Sequence, residues 1–413
     1  MNFSSELLQA ASRAEARVRE RFEEIDARSF RLTERVLRAF SEHKVDAACF
    51  DSVSGYGYDD RGREILDRVF ADVFECEAAL VRHNFVSGTH ALTVGLFGLL
   101  RPGDTLLCVT GEPYDTLDDV IGAKSHAPGS LYDFGVNFEV VELKDGKPDR
   151  EAILSALTPK VKVVYFQRSR GYADRPTLTE ADFAHLFPLL REKTDAFLVV
   201  DNCYGEFVSD HEPTYYGADL VIGSLIKNAG GGMCETGGYL AGSQRAVDLC
   251  ADRLTAPGLG GHVGATLGQN KNLFKGLFYA PHTTAQALKS ALFAAALFEE
   301  IGYEVSPAPD EERFDIIQSV FLRDAEKVIA FCGGLQEMSP VDSYVTPLPA
   351  PMPGYAHEVI MAAGTFTQGA SIELSADAPM REPYTVYLQG GLTYESAKLA
   401  LLSAAARLLD QHR

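Results

Sequence analysis

Between residues 78 and 242 the chain repeats a pattern that leaves few architectures open. Short β-compatible runs recur at Ala79-Leu80-Val81, Leu106 to Val109, Phe138 to Val141, Val161 to Phe166, Phe197 to Val200, Leu220-Val221-Ile222 and Tyr239-Leu240-Ala241. Helix-compatible stretches such as His90 to Leu100 and Glu180 to Glu192 lie between several of them. Alternation of this kind predicts an α/β fold with a mainly parallel sheet covered by helices on both faces. In such sheets ligands gather beyond the carboxyl ends of the strands. The residues that follow each run are therefore the ones to read for chemistry.

The flanks have a different texture. Residues 4 to about 43 carry Leu7, Leu8, Val18, Phe22, Ile25, Leu32, Val36, Leu37 and Phe40 at helical spacing among many charges, which predicts an amphipathic helix. This arm, residues 1–50, is expected to pack on the C-terminal part of its own chain or on a second subunit. A large domain is expected over 51–283 and a smaller α+β domain over 284–413, since 413 residues exceed a single small core. In the small domain an Ala-rich helix is expected over 284–302, further helices near 310–331 and 393–411, and strands at 357–362, 370–374 and 384–388. Ser339 to Gly354 is proline-rich and reads as an ordered surface loop. The excess of 58 acidic over 38 basic residues opposes nucleic acid and anionic membrane as partners. Seven cysteines without C-x-x-C or zinc-like spacing predict no metal site. No run reaches the ~18 apolar residues of a membrane span and no signal core is present, so a reducing cytoplasm is expected.

Four places after β-compatible runs carry candidate chemistry. Ser87-Gly88-Thr89, between a run and a helix, offers small residues and free amides to a phosphate, although a plain helix cap has the same sequence. Tyr114 in GEPYDTL offers a ring to cover a flat cofactor and a hydroxyl to move a proton; filling core is the commoner use of a tyrosine. Asp201 ends Phe197-Leu198-Val199-Val200 and can hold a proton on a buried heteroaromatic nitrogen, or simply cap a helix. Lys227 in GSLIKNAGGG follows the next run, where desolvation would lower its pKa and free its amine for a Schiff base; a solvated loop lysine would look alike. Together the four describe a site for pyridoxal phosphate.

Longer motifs agree. GYGYDDRGRE, VSGTHAL, GEPYDTL, VVDNCYGEF, GSLIKNAGGG, APGLGGHVGATLGQN and SADAPMREPY resemble the methionine gamma-lyase-like family often labelled aluminium resistance protein, over about residues 45–405. The resemblance implies the fold of the fold-type I pyridoxal-phosphate enzymes, a mainly parallel seven-stranded sheet sandwiched by helices with a smaller α+β domain. It implies that Lys227 carries the cofactor, Asp201 pairs with the pyridine nitrogen, and Ser87, Gly88, Thr89 and Ser224 bind the phosphate. Tyr114 would stack on the ring and Tyr204 would reach its phenolic oxygen. Tyr56, Tyr58 and Arg61 would complete the phosphate site of a neighbouring subunit in a homodimer or homotetramer. Arg381 is the expected ligand of the substrate carboxylate, with Arg168 and Arg170 as rivals. Met233-Cys234-Glu235 and His262 depart from the family pattern, and both are expected near the substrate.

The activity implied is a carbon–sulfur lyase acting on a sulfur-containing or O-activated amino acid, by γ- or β-elimination or γ-replacement. An aminotransferase or aldolase of the same fold, or a non-catalytic cofactor-binding stress protein, would share the cofactor residues.

Overall fold

The computed structural model describes residues 3–173, 175–352 and 357–410. The chain begins with helix α1 (Ser5–Glu42), whose N-terminus is capped by the Ser4 side chain accepting from the Leu7 amide. All seven β-compatible runs then become strands of one sheet: β1 (Ala78–Arg82), β2 (Thr105–Cys108), β3 (Asn137–Val140), and, after a small hairpin of β4 (Leu143–Lys144) and β5 (Lys147–Pro148), β6 (Val161–Gln167), β7 (Phe197–Asp201), β8 (Leu220–Ser224) and β9 (Gly238–Gly242). Their spatial order is β1-β9-β8-β7-β6-β2-β3. From β8 to β3 neighbouring strands are parallel, and β9 runs antiparallel to β8 and β1. The central strands are apolar along their whole length because both faces are covered. Val200 and Val221 join a cluster with Phe70 and Phe74, while Val199, Leu220 and Ile222 join another with Leu92 and Leu96.

The covering helices include α2 (Arg61–Val73), α3 (Gly88–Leu99), α4 (Asp115–Ile121), α5 (Arg150–Ala156), α6 (Glu180–Arg191) and α7 (Gln244–Leu254). Helix α8 (Asn270–Glu300) corrects the sequence expectation, since it begins well before residue 284 and runs through Pro281. A proline inside a helix costs about 3 kcal/mol. The helix offsets this by burying Leu277, Leu288, Leu292, Phe293 and Phe298, each contributing about 1.5–3 kcal/mol. The expected domain boundary at 283/284 thus falls inside one continuous helix. Leu7, Ala11, Ala14, Val18 and Ile25 of α1 share a cluster with Ala285, Leu288 and Leu292, so the arm packs on its own chain.

The C-terminal part is an antiparallel sheet of β10 (Glu304–Ser306), β11 (Gln318–Phe321), β12 (Val359–Ala362), β13 (Ser375–Pro379) and β14 (Thr385–Gln389), ordered β10-β11-β14-β13-β12. Helices α9 (Ala325–Gln336) and α10 (Tyr394–Asp410) cover one face with α8. The helix expected over 310–331 is therefore replaced by β11 and the start of α9. The strand expected at 370–374 is β13 instead, where Ala376 and Ala378 alternate with Ser375 and Asp377, giving the strand an apolar and a polar face that are both buried. The expected loop at 339–354 overlaps residues 353–356, which lie outside the described residues. Among the described residues no helix is long and apolar enough to cross a membrane.

Candidate active site

A cavity of about 380 Å³ opens at the carboxyl ends of β2, β6, β7 and β8, and Tyr114, Asp201, Tyr204 and Lys227 line it. Parallel pairing of β7 with β8 sets Asp201 opposite Ile222, so carboxylate and amine rise from the same rim. After Ser224 the chain turns back sharply. A Cβ at Gly230 would lie 1.7 Å from the Leu225 carbonyl oxygen, so only glycine lets this turn close. Next to the lysine, the Asn228 side-chain Nδ2 donates to the Glu206 backbone carbonyl at 3.1 Å. These contacts fix Lys227, whose Nζ stands 4.0 Å from the centroid of the Tyr204 ring.

The charge state of Lys227 differs from the sequence expectation. Burial does push its pKa down, but the surrounding Cys203, Tyr204, Asp201 and Tyr114 outweigh burial and hold it well above the ordinary value. An acidic neighbourhood in a low-dielectric site stabilises the ammonium more than desolvation destabilises it. Asp201 is itself raised by burial, a shift opposed by Lys227 and by the Cys203 amide. Its Oδ1 accepts from that amide at 3.1 Å and its Oδ2 from the Tyr165 hydroxyl at a long 3.4 Å. The carboxylate keeps capacity to accept a further, stronger donor.

Helix α3 points its N-terminus at the same cavity. Ser87 caps it, accepting from the His90 amide at 3.0 Å, and the Gly88 and Thr89 amides in its first turn have no intrahelical acceptor. A Cβ at Gly88 would stand 3.3 Å from Ser224 Cβ, so the β8 end and the α3 end form one cradle. Free amides, the hydroxyls of Ser87, Thr89 and Ser224, and a positive helix end make a donor set suited to phosphate. Thr89 Oγ1 also lies 2.9 Å from the Tyr114 hydroxyl and 3.2 Å from Thr116 Oγ1. The Tyr114 amide donates to Gln167 Oε1 at 2.9 Å, and burial raises the phenol well above its usual range. Phosphate cradle, flanking rings, a carboxylate with spare capacity and a buried lysine fit pyridoxal phosphate.

The structure sorts the remaining candidates. Arg170 and Arg381 both line the cavity. Arg170 is buried, with Nη1 donating to Ser306 Oγ at 3.0 Å, whereas Arg381 is exposed at the rim. Arg168 does not reach the cavity: its Nη1 donates to Asn202 at 2.7 Å and to Glu212 at 3.2 Å, and its Nη2 to Ser209 at 3.2 Å. Just after β6 the consecutive residues Arg168 and Ser169 part: Ser169 lines the cavity and Arg168 does not, which no motif reveals. His262 is exposed and its carbonyl accepts from Arg63 at 3.0 Å; neither it nor Met233 to Glu235 lines the cavity of its own chain. Tyr56 and Tyr58 stack on each other at 74% and 60% exposure, and Arg61 pairs with Asp46 on the surface.

Buried Arg63 ties this loop to the His262 loop through the carbonyls of Gly57 and Gly264 at 2.6 and 2.9 Å. Sequence reasoning missed Arg63, Gln167, Glu206, Asp377 and Gln389. Glu206 left one signal, a lone charge in the small and apolar stretch CYGEFV after Asp201.

The family model described as methionine gamma-lyase matches residues 7–409. The uncharacterized protein YnbB of Bacillus subtilis is 48% identical over 98% of this chain and 97% of its own length. A crystal structure described as a carbon-sulfur lyase involved in aluminum resistance, from Clostridium novyi NT, is 47% identical with a TM-score of 0.94, covering 98% of this chain and 96% of that one. The fold alone extends to the pyridoxal-5'-phosphate dependent protein YhfS of Escherichia coli, at 18% identity and a TM-score of 0.62 over 93% of this chain and 97% of that one.

Proposed function

The chain belongs to the methionine gamma-lyase family of pyridoxal-phosphate enzymes, and we propose that it is a carbon–sulfur lyase that removes a sulfur-linked leaving group from an amino acid. The observation that carries this reading is the buried pair Asp201 and Lys227 on neighbouring strand ends, in one cavity with Tyr114 and the α3 N-terminus. Bound there, pyridoxal phosphate supplies an electron sink for charge developing at the substrate Cα. Lys227 would hold the cofactor through its amine, Asp201 would keep a proton on the pyridine nitrogen, and Ser87, Gly88, Thr89 and Ser224 would hold the phosphate. With the cofactor bound, Lys227 Nζ would act as the neutral amine, taking the Cα proton and, for γ-elimination, moving a proton at Cβ. Tyr114, whose raised pKa keeps it protonated at neutral pH, donates to the departing sulfur. Products of elimination are a thiol, ammonia and a 2-oxo acid; γ-replacement on an O-activated amino acid uses the same residues.

Arg381 or Arg170 would take the substrate carboxylate. Tyr56, Tyr58 and Arg61 are proposed to serve the phosphate of a second copy, which makes the working unit at least a dimer. The seven free thiols accord with a cytoplasmic setting. The test is direct. Purified protein should carry cofactor absorbance that borohydride fixes to Lys227 and that Lys227→Ala abolishes, and it should release 2-oxo acid from at least one of methionine, homocysteine, cystathionine or O-acylhomoserine. Colourless protein that takes up no pyridoxal phosphate would overturn the cofactor assignment; cofactor-loaded protein with no elimination or replacement on any of these would overturn the lyase assignment.

A further inference from the structure

The turn after β7 is built at a backbone cost. Tyr204 and Phe207 lie at φ 71° and 61°, in the left-handed region that side chains rarely adopt. Such positions persist only where the surroundings over-determine them. The Asn202 amide donates to the Ile222 carbonyl of β8 at 2.9 Å, and the Gly205 amide closes the turn on the Asn202 carbonyl at 3.0 Å. A buried polar group locks the shape: Glu212 accepts from the Phe207 amide and from Asn202 Nδ2, both at 2.8 Å, and pairs with Arg168. A Cβ at Gly205 would stand 2.5 Å from Arg168 Cδ, so the turn admits no side chain there.

The strained turn holds one ring in place. Tyr204 lines the cavity together with Lys227, and Nζ stands over the face of its ring, 4.0 Å from the centroid. Among the described residues no hydrogen bond or ion pair holds Nζ, so the ring is its close partner. An ammonium gains from the negative face of an aromatic ring, most where water is excluded. A neutral amine gains far less. The ring thus favours the protonated form of Nζ, and a base is helped by whatever stabilises it more as it takes a proton than before.

Resting on the cofactor assignment above, we propose that Tyr204 is a catalytic residue through the face of its ring rather than its hydroxyl, stabilising the ammonium formed on Lys227 when the substrate Cα proton is removed. In that step the Cα–H bond breaks and the proton forms a third N–H bond on the neutral amine. The electron pair stays with the substrate carbon, where bound pyridoxal phosphate withdraws it. Positive charge appears on Nζ against the ring face. Asn202, Glu212 and Arg168 are positioning residues, which act by holding the turn that aims the ring.

Three variants separate the ring from the hydroxyl and from the shape of the turn. Tyr204→Phe keeps the ring, Tyr204→Leu keeps bulk without it, and Tyr204→Asn lacks it while tolerating the left-handed backbone. The first readout uses L-norleucine, which has no leaving group, and follows exchange of its Cα proton by the cofactor-loaded protein in heavy water by NMR. Tyr204→Phe should stay within about two-fold of the parent rate, whereas Tyr204→Leu and Tyr204→Asn should each be about ten-fold slower. Norleucine affinity, read from cofactor absorbance, should change less than about three-fold in all three, since the contact acts on the proton transfer and not on binding. The second readout needs no cofactor. The pH at which Lys227 of the full chain becomes reactive towards acetic anhydride, followed by mass spectrometry, should fall by about one unit in the Leu and Asn variants and not in Tyr204→Phe.

Exchange lost as fully in Tyr204→Phe as in the other two would overturn the proposal in favour of the hydroxyl, and parental exchange in both ring-less variants would overturn it outright. Protein that takes up no pyridoxal phosphate would count against the cofactor assignment, while an unshifted labelling pH in both ring-less variants would separately refute the ring contact.

Discussion

Glu206 gives the sharpest quantitative test of how this site is built. It is fully buried behind Lys227, its Oε1 accepts from the Tyr239 hydroxyl at 2.9 Å, and its Oε2 has no partner among the described residues. Burial raises its pKa from 4.5 to about 8, and nearby Glu212 adds to the shift. In the unfolded chain the carboxyl loses its proton near pH 4.5, whereas in the folded protein it keeps it until about pH 8. The folded state therefore binds the extra proton across that window, and the stability contributed by the neutral acid is lost as pH rises through the folded pKa. Between pH 6 and pH 8 the loss amounts to about 2 kcal/mol, taking 1.36 kcal/mol per pKa unit. Glu206→Gln keeps the shape and cannot ionise. Urea unfolding of both proteins at pH 6, 7 and 8 should show the variant gaining about 2 kcal/mol on the parent across that range, since every other titrating group is common to both. Parallel pH profiles would refute the argument, because they would mean that Glu206 is already ionised in the folded protein at pH 6.

The two arginines that rivalled each other in sequence should separate cleanly by experiment. Arg168→Met leaves Glu212, 4% exposed, without its ion-pair partner, and should cost about 3–5 kcal/mol in urea unfolding. Arg381→Met at the exposed rim should change stability by less than about 0.5 kcal/mol while raising KM for the turned-over amino acid; equal stability losses would contradict the assignment. Gly230→Ala forces the Leu225 carbonyl to move, at about 1–3 kcal/mol for overpacking. It should also displace Lys227, read as cofactor absorbance lost on dialysis that the parent retains.

The residues that could be read from the chain are those tied to local pattern. A strand end followed by a small or charged residue is local, so Asp201, Lys227, Ser87 to Thr89 and Tyr114 could be found in order along the sequence. The seven β-compatible runs likewise became the seven strands of the large sheet, because central strands covered on both faces are apolar throughout. Where local pattern and packing disagree, packing decides. Pro281 looks like a helix boundary, yet the buried faces of α8 carry the helix through it.

The tertiary structure alone assigned the polar groups. Arg168 and Arg170 stand two residues apart in FQRSRGY, and only the fold sends one to Glu212 and the other to the cavity wall. The raised pKa of Lys227 has the same origin, since desolvation is suggested by the strand beside it whereas the opposing acids come from two other segments, 201–204 and Tyr114. Asp377 and Gln389 left no motif, because the face of a strand that is polar and buried looks in sequence like one that is polar and solvated. The sequence by itself determined the order of the strands along the chain and the residues at their ends. Which side chains share a low-dielectric space, and therefore which charges couple, depends on distances between segments that no local pattern encodes.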